Sequence, residues 1–433
     1  MLYYIIILFL YYSIEPILGL PPIFKVGTNS ITLSSLLMLT LVPLLIANLF
    51  TGRLKINPRS PGLWFFLVLV LSQIIVAVFR PEMFRGALSI TLQFSLMFLV
   101  LPLVSTVKDK KALLFAIWSL QVWGLIQAFC VYLSFLFPVV FSKLGNVYGD
   151  YAGGEFRTFG IMGDSVGWVL CLFAYWAIAA KQWLKFVFFT GAIVVTATLG
   201  AIILILVGFA IIFFRDVSTD FSRIKKYLFL MGFGCIALTA SIGTLSKLTA
   251  VERVTEASSL IDQGSGAQRL WSYGIATYFI KENPIVGYGF GTYLYQVQKQ
   301  FGFRSEFLKY SKGALSNANN QLLQSLYEVG ILGTVVLLAM IFAYLKVLIK
   351  NVDAMPALFS HFKIASFTWL LSMLLFNQTA VWLNPSIVWF QMALVIGISL
   401  GINGRWTAFT RYSAFRIATK RKALAPSVKG ALQ

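Results

Sequence analysis

Apolar runs long enough to cross a hydrocarbon core of ~30 Å, roughly 20 residues each, recur along the whole chain. Short polar or basic stretches separate them. The pattern predicts crossings at 1–18, 31–50, 62–79, 87–107, 112–138, 161–180, 186–199, 200–214, 227–246, 321–345, 364–382 and 386–403. Between 186 and 214 a single crossing would put Arg215 and the cluster Arg223-Ile-Lys-Lys226 on the wrong face for basic residues, so two short helices are preferred there. The expected architecture is an all-α integral membrane protein of about 12 transmembrane helices.

Three connections on one side exceed a turn: 20–30, a glycine-rich stretch at 141–160, and 247–320. The last divides the chain into an N-terminal bundle of about nine helices (1–246), a large outer loop (247–320), three C-terminal helices (321–403) and a basic tail (404–433). Trp271, Tyr278, Tyr288, Phe290 and Tyr293 make the large loop too aromatic for a disordered segment. Within it, Leu270, Trp271, Ile275, Tyr278 and Phe279 recur at helical spacing over 267–282, and Pro284 ends the helix at Asn283.

Composition agrees with the pattern. Of 433 residues, 59% are hydrophobic and 12% charged, with mean hydropathy +0.82; a soluble protein carries about 25% charged residues. The net charge of +20 is gathered in short clusters between the apolar runs, among them Arg53/Lys55/Arg59, Lys108/Lys110/Lys111 and a tail from Arg405 to Lys429. That is the signature of cytoplasmic loops, with a tail suited to anionic lipid headgroups, and it argues against nucleic acid as a partner. Cys130, Cys171 and Cys235 stand far from one another and from the one histidine, His361, so neither a metal site nor a disulfide framework is expected. Met1 to Tyr12 lacks a basic leader and a small-residue cleavage site, and reads as a retained first span.

The polar residues that interrupt this pattern are the candidates for chemistry. Asn317, Asn320, Gln321, Gln324 and Glu328 fall three or four apart, on one face of the helix that opens the 321–345 span. A frayed outer end accounts for Asn317 and Asn320. Glu328 lies about two turns further in, where an unpaired carboxylate is costly, and needs a hydrated cavity or a buried partner. In Gly287-Tyr288-Gly289-Phe-Gly291 the alternating glycines allow either close backbone approach to a ligand or tight packing against neighbouring helices. Arg157 and Asp164 flank the start of the sixth span on the same outer side. Arginines converging there, Arg157 and Arg269 with Arg253 or Arg304, would form a phosphate receptor.

Arg269 followed by Glu282-Asn-Pro-Ile-Val-Gly-Tyr-Gly-Phe-Gly291, then Asn319-Asn-Gln-Leu-Leu-Gln-Ser-Leu-Tyr-Glu-Val-Gly-Ile-Leu-Gly333, resembles the signature of the O-antigen ligase and polymerase superfamily. The resemblance implies a GT-C-like helical fold in a bacterial inner membrane, with a large periplasmic loop between helices 9 and 10. It implies transfer of a glycan from an undecaprenyl-pyrophosphate carrier to a hydroxyl on a glycan or lipid-linked acceptor. No metal or cofactor is called for, since pyrophosphate is the leaving group; a chain-length regulator is a further candidate partner. By the same resemblance Arg157 and Arg269 hold the pyrophosphate, with Gly287, Tyr288, Gly289 and Gln324 lining the substrate.

Two positions depart from the family pattern. The usual His-Asn pair reads Asn319-Asn320, and the usual Ser-Arg reads Thr198-Leu199. An Asn orients a hydroxyl but does not take its proton at neutral pH. The base then falls to Glu328, Asp164 or Glu282, or proton loss follows a dissociative transfer. The missing histidine tilts the reading toward a polymerase. A lipid-linked oligosaccharide flippase and a catalytically inactive relative are the alternatives.

Overall fold

The computed structural model describes residues 1–18, 24–26, 29–31, 33–54, 61–137, 149–152, 155–158, 166–196, 199–219, 265–301, 318, 320–375 and 388–405. Its helices are α1 (Leu2–Leu18), α2 (Leu33–Leu39), α3 (Leu41–Phe50), α4 (Pro61–Phe79), α5 (Pro81–Ser105), α6 (Lys110–Leu136), α7 (Val166–Ala179), α8 (Trp183–Val195), α9 (Leu199–Thr219), α10 (Ser265–Glu282), α11 (Tyr293–Phe301), α12 (Gln321–Ile349) and α13 (Ala357–Leu375). A last helix, α14, covers Val388–Arg405. Two short antiparallel hairpins, β1 (Phe24–Val26) with β2 (Asn29–Ile31) and β3 (Gly149–Ala152) with β4 (Glu155–Thr158), occupy connections read from sequence as loops.

Among the described residues, five helices are long and apolar enough to cross a membrane: Gly62–Phe79, Lys110–Leu136, Gln321–Ile349, Ala357–Leu375 and Val388–Arg405. The molecule is thus a helical, multi-pass membrane protein. The expected span at 227–246 and the tail beyond Arg405 lie outside the described residues. The expected span at 31–50 is divided at Thr40 into α2 and α3.

Local sequence sets several boundaries. Proline stands at the first position of both α4 and α5, where its missing N–H costs no helical bond. Asp109 caps α6 by accepting from the Ala112 N–H at 2.9 Å, and Asn320 caps α12 by accepting from the Leu323 N–H at 3.0 Å. Between α8 and α9 the chain reverses. Phe186, early in α8, stacks on Phe209, midway along α9, so the two helices run antiparallel.

Buried on nearly every side, α7 is the axis of the bundle, as expected of a helix apolar all round. In the core between α6, α7 and α8, Trp123 meets Phe173 edge-on and Phe173 stacks on Phe189. By contrast α4 lies at the rim, with Trp64, Leu71, Ile74, Val78 and Phe79 exposed.

One end of the bundle gathers the basic residues. Arg405 donates to the Lys108 carbonyl at 3.2 Å, Lys363 Nζ to Asn403 Oδ1 at 2.7 Å and to the Lys350 carbonyl, and Asn403 Nδ2 to the Val347 carbonyl at 3.0 Å. At the same end Arg215 pairs with Asp353 at 3.1 Å. These bonds tie together the ends of α9, α12 and α14 and the α5–α6 turn. The polar motifs lie at the other end of α12.

Candidate functional site

The centre of the site is a break in α12. Gly330 has φ +64° and ψ −172°, a conformation open essentially to glycine, so the helix cannot close its hydrogen bonds there. In an unbroken helix the N–H groups of Ile331 and Leu332 would bond the carbonyls of Tyr327 and Glu328. Instead the segment 284–289 is spliced into the gap. Ile331 N–H donates to the Pro284 carbonyl at 2.9 Å and Leu332 N–H to the Ile285 carbonyl at 3.4 Å. The two freed carbonyls accept from Tyr288 N–H and Gly289 N–H, both at 2.8 Å. Two helical bonds are replaced by four.

This splice explains the glycine pattern. Gly287, Gly289 and Gly291 all have positive φ, at +71°, +105° and +79°. A Cβ at Gly287 would sit 2.6 Å from the Gly330 nitrogen and the Tyr327 carbonyl oxygen, and one at Gly289 2.0 Å from Val76 Cγ2. Of the two uses open to the glycines, the described contacts are with the protein's own backbone and side chains.

Around the splice Tyr288 stacks flat on Tyr327, with ring centroids 5.0 Å apart and 4° between the planes. Phe279 and Tyr293 meet Tyr327 edge-on. Arg80, alone in the turn between α4 and α5, places its guanidinium 4.2 Å from the Tyr288 ring centroid and donates to the Tyr288 carbonyl at 2.7 Å. Gln73 donates to the Phe290 carbonyl at 3.0 Å. The Tyr288 hydroxyl donates to Glu282.

Glu328 projects from the broken turn and is 6% exposed. Its Oε1 accepts from Gln324 Nε2 at 2.8 Å and from the Gly291 N–H at 3.0 Å. Gln324 in turn accepts from the Ala318 N–H at 2.8 Å. Both of the bonds to Glu328 fall on Oε1. Among the described residues its partners are the Gln324 amide and the Gly291 backbone N–H, so a buried partner of the kind expected from sequence is present.

The other expected residues are placed as follows. Asn320 is the cap of α12. Arg157 lies on β4 opposite Asp150, and Arg269 lies on α10 one turn before Ser272, whose hydroxyl donates to the Ala318 carbonyl at 3.1 Å. The backbone of Arg269 is therefore near the mouth of α12. Asp164 and Asn319 lie outside the described residues, as do the side chains of Arg157 and Arg269. No group of three or more His, Cys, Asp or Glu able to hold a metal occurs among the described residues. Arg80 and Gln73 were missed from sequence. The available signal was Arg80-Pro81, an arginine between two apolar runs at the end opposite the basic clusters.

Residues 184–338 match the family model described as O-antigen ligase. Over these residues the chain is similar to the O-antigen ligase and polymerase superfamily, as the motifs at 269–333 led one to expect. No curated protein matches the chain. The matched O-antigen ligase region runs from the start of α8 into α12 and holds the spliced segment, Arg269 and the whole polar face up to Glu328. Arg80, Gln73 and Arg157 come from outside it.

Proposed function

We propose that this protein is a membrane glycosyltransferase that polymerises or ligates surface polysaccharide from an undecaprenyl-pyrophosphate carrier. The match of residues 184–338 to the O-antigen ligase family supports glycan transfer in a membrane setting. The observation that carries the reaction is Glu328, a buried carboxylate inside the matched region whose Oε1 is held in place by Gln324 and Gly291. In this reading the acceptor hydroxyl attacks the anomeric carbon, the bond from that carbon to pyrophosphate breaks, and the hydroxyl proton passes to Glu328. Inversion follows from a single displacement. Arg157 and Arg269 stabilise the charge gathering on the departing pyrophosphate, so no metal is required. Asp164, Asn319 and Asn320 orient the acceptor, and Gln324, Gly287, Tyr288 and Gly289 line the glycan.

The arrangement calls for twelve crossings, with the basic end in the cytoplasm of a bacterial inner membrane and the 247–320 loop in the periplasm. Polymerase is favoured over ligase because Asn319 stands where the family carries histidine. Purified protein given carrier-linked repeat units should lengthen the glycan and release carrier pyrophosphate, and Arg269→Ala should abolish both while the protein still inserts. Full lengthening by that variant would remove Arg269 from the site.

A second reading draws on the break in α12, since interrupted helices also mark transporters. Translocation of carrier-linked glycan without lengthening would select it.

A further inference from the structure

The segment spliced into α12 has a consequence for the boundary between protein and lipid. We infer that residues 284–291 form a re-entrant segment, seated below the outer ends of the membrane helices, with Ile285 and Val286 against lipid acyl chains.

Depth comes from α4. Its apolar window, Gly62–Phe79, has 18 residues, or about 27 Å at 1.5 Å per residue. A hydrocarbon core of ~30 Å uses all of that length. Gln73 holds the Phe290 carbonyl and Val76 abuts Gly289, and these lie six and three residues before Phe79, about 9 and 4.5 Å inside the helix end. Further down, a Cβ at Gly333 would come within 2.9 Å of Val68 Cγ1, which sets α12 alongside the middle of α4. The break at Gly330 thus faces the outer half of α4, within the hydrocarbon.

Chemistry agrees with that depth. From Asn283 to Thr292 the chain carries no charged residue. The carbonyls and N–H groups opened by the break are taken up by the inserted backbone, as a site without water demands. The side chains that point outward are apolar: Ile285 is 60% and Val286 46% exposed. They continue a strip on the membrane helix α12 formed by Ile331, Leu332 and Val335, at 50%, 60% and 59% exposure. The bonds from Ile331 and Leu332 to Pro284 and Ile285 place the two strips side by side. Acyl chains covering one necessarily cover the other. This inference stands apart from the glycan-transfer reading and does not depend on it.

The test uses the full chain in lipid nanodiscs, with Cys130, Cys171 and Cys235 replaced by alanine and a nitroxide attached at Ile285→Cys or Val286→Cys. Leu332→Cys serves as the lipid reference and Gln298→Cys, exposed on α11, as the water reference. Two positions are used so that a variant that fails to fold leaves the other as the reading. Collision with oxygen should match Leu332→Cys, and collision with a water-soluble nickel chelate should be about tenfold below Gln298→Cys, as exclusion of water from hydrocarbon requires. Nickel access equal to that at Gln298→Cys would overturn the inference by placing the segment in water. Low access to both reagents would overturn it too, by placing protein, such as a second copy of this chain, over the strip.

Discussion

Glu328 and Gly330 stand two residues apart, and each makes the other's position workable. The glycine opens the helix, and the inserted backbone then brings the Gly291 N–H to the carboxylate. If Glu328 takes the acceptor proton, Glu328→Gln keeps the shape and the hydrogen bonds but removes the base. Turnover should fall by roughly 10²–10⁴ with the substrate KM little changed, as measured by glycan lengthening. Unchanged turnover would assign the proton to another group. Arg80 acts at one remove, by clamping Tyr288 through its ring face and its carbonyl. Arg80→Ala should cost about 2 kcal/mol of stability, combining a partly buried cation–π contact with a charge-assisted hydrogen bond. Arg80→Lys should recover part of it, and thermal unfolding in detergent measures both. Sequence reading reached Glu328 through its spacing with Gln324 and its depth in an apolar run. It did not reach Arg80: the residue was visible as an arginine between two apolar runs, but its contact with Tyr288 spans 208 residues and is not written in any local pattern.

At the scale of elements, the two motifs that resemble one family signature are the two halves of one joint. Glu282 to Gly291 supplies the inserted segment, and Gln321 to Gly333 supplies the helix that receives it. The sequence displayed both motifs but not their engagement, since alternating glycines are compatible with a ligand cradle and with self-packing alike. Gly330→Ala tests the joint. An alanine there meets a backbone strain of about 1–3 kcal/mol for its positive φ, and its Cβ would fall 2.1 Å from the Ile285 carbonyl oxygen. The inserted segment should be expelled, with loss of activity and new protease cleavage between 283 and 292. A second tether holds α11 to the start of α5, where Lys299 Nζ lies 2.8 Å from Glu82 Oε1. The lysine keeps the Glu82 carboxyl below its ordinary value. The pair therefore stabilises the fold above the ordinary glutamate range and loses that contribution as pH falls through the lowered value. Both partners are exposed, so the effect is small and fades with salt.

Across the whole molecule, the run lengths in the sequence were enough to locate α4, α6, α12 and α14 to within about one helical turn, since a hydrocarbon slab imposes a nearly fixed apolar length, whereas α13 (Ala357–Leu375) lies about two turns before its expected bounds. Where the apolar stretch was continuous, length alone left the number of passes open, as in 186–214. The structure turns that stretch into an α8–α9 hairpin, visible in the Phe186–Phe209 stack. Its far end carries Arg215, which reaches Asp353 just beyond α12. If the hairpin spans the membrane twice, Gln182 before α8 and Ala354 beside Asp353 must share a face, opposite Gln298 on α11. In the cysteine-free chain, Gln182→Cys and Ala354→Cys should therefore react with an impermeant maleimide only from the cytoplasmic side of oriented vesicles. Gln298→Cys should react only from the other side. Labelling of Gln182→Cys and Ala354→Cys from opposite faces would reduce the hairpin to one pass. It would also separate Lys181 from the basic end of the bundle, against the charge asymmetry expected of cytoplasmic connections.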